Sequence, residues 1–543
     1  MNHSKMYPNP VLYGDYSDPD AIRVKDDYYM ISSSFTNTPG IPILHSRDLV
    51  HWRVISYVLD NLPDESYFNV RHGCGVWAPS IRYHNEEFFC FFPMPDEGIY
   101  VCKASHITGP WSTPVCMMKG SGYIDPCPFW DEDGNAYLVF ALAGSRARKK
   151  SVLNIIPMSP DGSSVCGEVQ CVYDGNNTEN ETIEGPKLYK RNNYYYIFAP
   201  AGGVKCGHQT VLRSRSIYGP YEYRIVLKQG STDVNGPHQG AWVDTPSGEN
   251  YFLHFQDVYA GGRIVHLQPL IWEDDWPIIG IRKGKKTFGE PAACVGKPKD
   301  ADETFEDVKP LTSDDFMTGS LSLPWQWNAN HKDDWYRFLP EGGMHLKALS
   351  NPSLPLCDLP NLLLQKWPAP EFRCTTVLDY SELLPGECAG IVSLGQTYAG
   401  MGLYRSSKDP SNYSIRTITG KMHYQTNTSD ATEECIQIPV SEELLKEVSY
   451  RLSFLYTVQI REYTDECDRV DYKGKEQWVR HIPRENITLS LILPKELTEI
   501  PPCTIPAYAG RWVGVKNGIF SFSEKETNPE GGVIVRSVHY EQV

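Results

Sequence analysis

A phrase that recurs five times in the first half of the chain limits its folding more than any other feature. It is clearest at residues 182–203, TIEGPKLYKRNNYYYIFAPAGG, where Glu184 stands two residues before a proline and a polar turn, 190–193, leads into an aromatic strand beginning at Tyr194. It returns as Asp18-Pro19 before Tyr28, Trp77-Ala78-Pro79 before Phe88, Asp125-Pro126 before Tyr137, and Pro237-His238 before Tyr251. The first aromatic residues stand 60, 49, 57 and 57 positions apart, close to the length of a four-stranded propeller blade. Later parts of each unit also recur, as HSRDLVHW, CKASHITGPW, PMSPDG and SRSIYGPY. Five such units close a ring. A β-sandwich with incidental internal similarity is the competing explanation.

From residue 20 to about 290 there is almost no helical periodicity; dipeptides such as Asp161-Gly162, Asp174-Gly175 and Ser247-Gly248 separate short aromatic or β-branched runs. Then IRKGKKTFGEP gives way to the acidic KPKDADETFEDVKP, which reads as a linker. Beyond it the pattern is again all-β but without the repeat, with strands expected over 373–378, 389–394, 451–458, 487–493 and 532–538. A stretch of this length suits a β-sandwich. The expected organisation is all-β throughout: a five-bladed propeller over 1–290, a linker over 291–312, and a sandwich over 313–543.

With a net charge of −16 the chain has no basic footprint for nucleic acid or an anionic membrane, and a neutral substrate fits better. The 15 cysteines, odd in number and without a CxxC pair, suggest neither a zinc site nor a disulfide framework. Reduced thiols and the lack of an apolar leader in MNHSKMYPNPVLYGDYSDPD set the expectation of a cytoplasmic protein, while a trimmed signal peptide would leave the same sequence. No run approaches the length of a membrane span. Self-association is left open.

Residues at one phase of a propeller repeat occupy equivalent places around the axis. Asp18, Trp77, Asp125, Glu184 and His238 precede their aromatic strands by 10, 11, 12, 10 and 13 positions, so they are expected to ring one mouth of the channel. Taken singly, each carboxylate reads as a turn or capping residue. Their shared phase reverses that reading, because three carboxylates gathered at an axis cost free energy unless paired. Two carboxylates across a pocket are what glycoside hydrolysis requires, one protonating the leaving oxygen and one acting on the other face of the sugar. A third can raise the acid's pKa, and a Trp gives the sugar ring a wall.

The motifs NPVLYGDYSDPDAI, GVWAPSIRY, YIDPCPFWDEDG, TIEGPKLYK and GGRIVHLQ resemble those of glycoside hydrolase family 43, in the family's order, and the last ~230 residues resemble the concanavalin-A-like sandwich of its β-xylosidases. The resemblance implies Asp18 as general base, Glu184 as general acid, and Asp125 as the carboxylate that tunes and orients the acid. It implies that Arg263 binds sugar hydroxyls and that Phe35 and Trp77 wall the subsite. His238 matches a histidine near the channel centre, where some relatives hold a calcium ion or a water; a histidine plugging the channel is the alternative, and no cofactor is required. In IPAYAGRWVGVKNGIF, Tyr508 stands where relatives often present a pocket-closing Phe. The implied activity is an exo-acting, inverting hydrolase releasing a terminal pentose, β-D-xylose or else α-L-arabinofuranose, from hemicellulose oligosaccharides. A carbohydrate-binding protein without turnover is the reading from another class, and it would need no acid/base pair.

Overall fold

The computed structural model describes residues 5–302, 304–305, 308–424, 429–466, 480–492, 500–526 and 530–543. The first half forms five blades, each built on four antiparallel strands taken in chain order. The first blade comprises Asp20–Val24, Asp27–Ile31, Gly40–Ser46 and Arg53–Leu59. The innermost strands of the other four begin at Ser80, Tyr123, Lys187 and His238. Each repeated phrase is therefore an inner strand, its tight turn and the second strand of a blade. In the fourth blade the turn is Asn192-Asn193, both at positive φ (48° and 58°), a backbone that Asn tolerates and that matches the twist of a two-residue hairpin.

Five apolar seams hold the ring, one between each pair of neighbouring blades. Ile31, Ile43 and Val58 of the first blade pack on Ile81, Phe88 and Phe92 of the second. Phe89 and Phe91 meet Leu138 and Phe140; Val139 and Ile155 meet Ile197 and Leu212; Phe198 and Val211 meet Phe252 and Leu270. The last seam joins Leu253, Val265 and Leu267 of the fifth blade to Met30, Leu44 and Trp52 of the first. The chain's beginning covers this closure: Leu12 bridges Val265, and the Asn9 side chain bonds the backbone of Leu267 and Ala292.

The stretch expected as a linker lies along the propeller. Cys294–Gly296 pairs with Met6–Pro8, and Asp302 bonds Arg47 at 2.7 Å. Just before it, Ile281–Arg282 and Gly289–Glu290 extend the fourth blade's sheet to six strands. The second half is a sandwich of two antiparallel-dominated sheets enclosing a core that includes Trp325, Trp367, Phe454 and Val535. The strands expected at 373–378, 389–394, 451–458 and 532–538 all lie inside observed strands; of 487–493, residue 493 is outside the described residues and the rest are strand.

The two bodies meet through backbone as well as side chains. Thr38 and Trp327 exchange main-chain hydrogen bonds, Asn330 accepts from the Leu62 amide at 2.8 Å, and His72 bonds Asp358 at 2.9 Å.

Candidate active site

Each carboxylate of the repeated phrase sits at the start of an inner strand, where the chain enters the ring. Asp18 and Asp125 share one backbone conformation, with φ of 55° and 56°. Each is followed by proline, which disfavours the right-handed helical region. Such left-handed residues cost about 1–3 kcal/mol and tend to persist at functional sites. Here the bend breaks the ladder between Ile124 and Cys127 and turns Asp125 inward.

Asp18 is 5% exposed and held at both oxygens. Arg263 Nη1 donates to Oδ1 at 2.9 Å, and the Ser33 hydroxyl donates to Oδ2 at 2.6 Å. The guanidinium lies over the Phe255 ring, 4.8 Å from its centroid. On the fourth and fifth blades, Glu184 Oε1 and His238 Nε2 are 3.0 Å apart, with His238 buried and the Glu184 side chain more open.

Asp125, also buried, takes the Gly185 amide on Oδ2 at 2.8 Å and the Gln239 side-chain amide on Oδ1 at 3.3 Å. It thereby grips the peptide immediately after Glu184. Gly185 has φ of 59°, and a Cβ there would stand 2.9 Å from the Gln239 amide carbon, so this close passage calls for glycine. Burial, and next the Glu184 and Asp18 charges, push Asp125 up to about 7 against the pull of the Gly185 amide.

The floor of the channel is closed by charge. Asp20 accepts from the Ile81 amide at 2.9 Å and from Arg82 at 2.7 Å, while the buried Lys187 ammonium, 4.0 Å from Asp20, donates to Ser80 at 2.6 Å. These groups join the inner strands of three blades beneath the carboxylates.

Phe35 and Trp77 form one wall, their centroids 6.4 Å apart, and Arg146 lies 4.9 Å over the indole. Phe35 exchanges main-chain bonds with Val76, which brings the two segments together. A Cβ on Gly75 would fall 2.1 Å from the Phe35 carbonyl, so only glycine permits this approach.

The aromatic that the sandwich brings to this wall is Trp512, 6.3 Å from Trp77 and nearly edge-on, rather than Tyr508. Tyr508 instead packs edge-on against Tyr259 at 6.0 Å. The reason lies in the loop's path. Trp512 takes φ of 67° and Gly514 docks on the propeller, so the turn projects four residues later than the motif suggested. A cavity of about 310 Å³ lies against Arg263 and Gly262, walled on the sandwich side by Gln396, Arg511 and Trp512.

At His238, Nδ1 is buried without a hydrogen-bond partner. Oxygens close by include the Glu184 carboxylate and, across Gly207, the carbonyls of Ala201 and Gly203. Calcium takes about six to eight oxygen ligands, waters among them, and these groups would supply part of such a shell beside His238. Among the described residues no helix is long and apolar enough to cross a membrane, and no disulfide joins the described cysteines.

The sequence motifs identified Asp18, Asp125, Glu184, Arg263 and His238, which the fold brings together, and Phe35 with Trp77 beside them. They did not point to Ser33, Gln239 or Trp512. Gln239 directly follows His238 in PHQG and could have been found from its place in the repeat; Ser33 carries no sequence signal, because it reaches Asp18 only through strand pairing.

A five-bladed ring with a buried, cation-held carboxylate on one side and a more open, histidine-held carboxylate on another defines a glycoside hydrolase. Comparisons with known proteins give the family. The family model described as "Glycosyl hydrolases family 43" matches residues 7–277, and that described as "Beta xylosidase C-terminal Concanavalin A-like domain" matches 313–541. A Xylanibacter ruminicola protein named "Putative beta-xylosidase" is 41% identical over 436 residues, covering 79% of each chain. A non-reducing end alpha-L-arabinofuranosidase of Bacteroides ovatus is 31% identical over 421 residues, 72% of this chain and 73% of its own. In fold, the chain resembles the xylan beta-1,4-xylosidase of Bacillus halodurans, with a TM-score of 0.75 at 23% identity over 98% of this chain and all of the other. The chain belongs to glycosyl hydrolase family 43.

Proposed function

We propose that the protein is an exo-acting, inverting hydrolase that removes a terminal pentose, β-D-xylose, from xylo-oligosaccharides. The observation that carries this reading is the asymmetric setting of the carboxylates: Asp18 is buried and fixed by Arg263 and Ser33, whereas Glu184 is half-open and gripped through Asp125 and His238. A fixed, buried carboxylate suits a base that draws a proton from water as the water attacks the anomeric carbon. A more open carboxyl group suits an acid that gives its proton to the departing oxygen, which leads out toward the aglycone. Asp18 gains the water proton and Glu184 loses one, so returning both protons through solvent resets the site. Burial, with the Glu184 and Asp18 charges, holds the Asp125 carboxyl up to about 7, so a proton is kept on this group beside the acid. Arg263 also faces the pocket and can bind the ring hydroxyls.

The exo assignment is supported by the loop from the sandwich, which puts Trp512 beside Trp77 and closes one side of the cavity. The second reading, α-L-arabinofuranosidase, is favoured by the Bacteroides relative named for that activity; the two sugars offer similar hydroxyl geometry to one pocket. A panel of p-nitrophenyl pentosides, followed by chromatography of xylotetraose digests, tests the proposal. We expect the β-xyloside to turn over fastest and xylose to be the first product. Initial release of xylobiose or longer fragments would reject exo action, and absence of turnover on every pentoside would reject the substrate class.

A further inference from the structure

We infer that Asp15, three residues before the proposed base, is the positioning residue that assembles the sugar pocket from both halves of the chain, an inference that rests on reading the cavity against Arg263 as that pocket. Asp15 is 4% exposed and touches no atom at which bonds are proposed to change. Its carboxylate accepts three hydrogen bonds from three separate segments. Oδ1 takes the Arg263 amide at 3.0 Å and the Ser17 hydroxyl at 2.9 Å; Oδ2 takes the Gly514 amide at 2.8 Å.

Arg263 is the residue whose side chain holds Asp18, Ser17 is Asp18's neighbour in sequence, and Gly514 ends the loop, 509–513, that lines the cavity from the sandwich. One carboxylate therefore sets the base, its arginine and the sandwich wall relative to one another.

The packing allows little slack around this junction. A Cβ on Gly262 would stand 2.6 Å from the Asp15 carboxyl carbon, and one on Gly514 would stand 2.8 Å from Gly262 Cα. The Val515 amide then donates to the Ala260 carbonyl at 2.8 Å, continuing the seam. The charge is supplied from the other half of the chain. Burial by itself would raise the carboxyl's pKa, yet Lys366 and Lys516, with the two backbone amides, hold it below the usual carboxylate range. These lysines stand opposite each other on paired sandwich strands. The Gly514 amide and the two lysine charges come from the sandwich, so the junction is complete only when sandwich and propeller are docked.

An amide cannot replace this carboxylate, because its NH2 would face a donor on one side. Losing a hydrogen bond to a charged group of this kind corresponds to roughly a 10- to 100-fold effect. The test is a double-mutant cycle between Asp15→Asn and Trp512→Ala on the pentoside that the wild type hydrolyses best, with circular dichroism and gel filtration to establish folding. Asp15→Asn should fold and lose about 10-fold or more in kcat/KM, mainly through KM. In the Trp512→Ala background, where the loop's contact is already gone, the same substitution should cost several-fold less.

Additive effects, or a folded Asp15→Asn with wild-type kinetics, would overturn the inference while leaving the hydrolase reading intact. If Asp15→Asn does not fold, Gly514→Ala takes its place in the cycle, since its methyl would lift the amide from Asp15 without touching Asp18, Glu184 or Arg263. Coupling of Gly514→Ala to Trp512→Ala supports the inference, and additivity overturns it. Absence of turnover in the wild type would instead reject the pocket reading on which it rests.

Discussion

Asp125→Asn should make the protein more stable at neutral pH while making it a poorer catalyst. In the unfolded chain the carboxyl ionises near its ordinary value of 3.8, whereas in the fold it is held up to about 7. Between these values the folded protein binds the extra proton, so unfolding free energy falls as pH rises, and the contribution is flat below and above the window. At about 1.4 kcal/mol per pH unit this window amounts to a loss of a few kcal/mol by pH 7, which the neutral amide avoids. The replacement is otherwise close to isosteric. The amide oxygen can keep the Gly185 amide, and Gln239 can turn its own amide to accept from the new NH2. Comparing denaturant unfolding of both proteins from pH 4 to 8 removes the titrations of groups that do not interact with Asp125. The wild type should lose ground to the variant steadily up to about pH 7 and no further. Infrared difference spectra should show a protonated carboxyl in the wild type that titrates near 7 and is missing from the variant. Parallel stability curves across the range, or a wild type that gains on the variant as pH rises, would refute the account of a proton held by burial.

The other predictions concern the reaction. Glu184→Gln should lose about 10²- to 10⁴-fold on xylobiose and far less on activated nitrophenyl glycosides, whose leaving groups need no proton; equal losses on both would reject the acid role. The first-formed sugar should have inverted anomeric configuration in proton NMR, because Asp18 and Glu184 come from non-adjacent blades and so can hold a water between base and sugar, whereas a retained anomer would make Asp18 a nucleophile.

The carboxylates proposed for catalysis were legible in the sequence because a propeller repeats its geometry: a residue's place in the phrase fixes its place around the axis. Asp18, Asp125 and Glu184 needed only alignment of the five phrases to be brought together. Nothing similar exists for the sandwich. There Phe372–Asp379 lies between Gly532–Gln542 and Arg451–Glu466, pairings across long sequence separations that local pattern does not encode. Five of its strands were readable from alternation and composition; others, such as Thr397–Arg405, Tyr413–Tyr424 and Lys516–Ser523, were not, and neither was the strand order.

Trp512 shows where the boundary between the two kinds of information falls. The window IPAYAGRWVGVKNGIF contains both aromatic candidates, and neither spacing nor chemistry separates Tyr508 from Trp512. What separates them is the docking of Gly514 on Asp15, 499 positions away, and of Val515 on Ala260 in the last blade, contacts that local sequence does not encode. The proposed acid/base groups are thus written within the propeller's repeat, whereas the wall expected to tell one terminal sugar from another comes from a different fold and is placed by an interface. Substitutions at that interface can then alter substrate choice while leaving Asp18, Asp125 and Glu184 where the repeat puts them. That separation gives a physical reason why relatives of one architecture carry the names of both xylosidases and arabinofuranosidases.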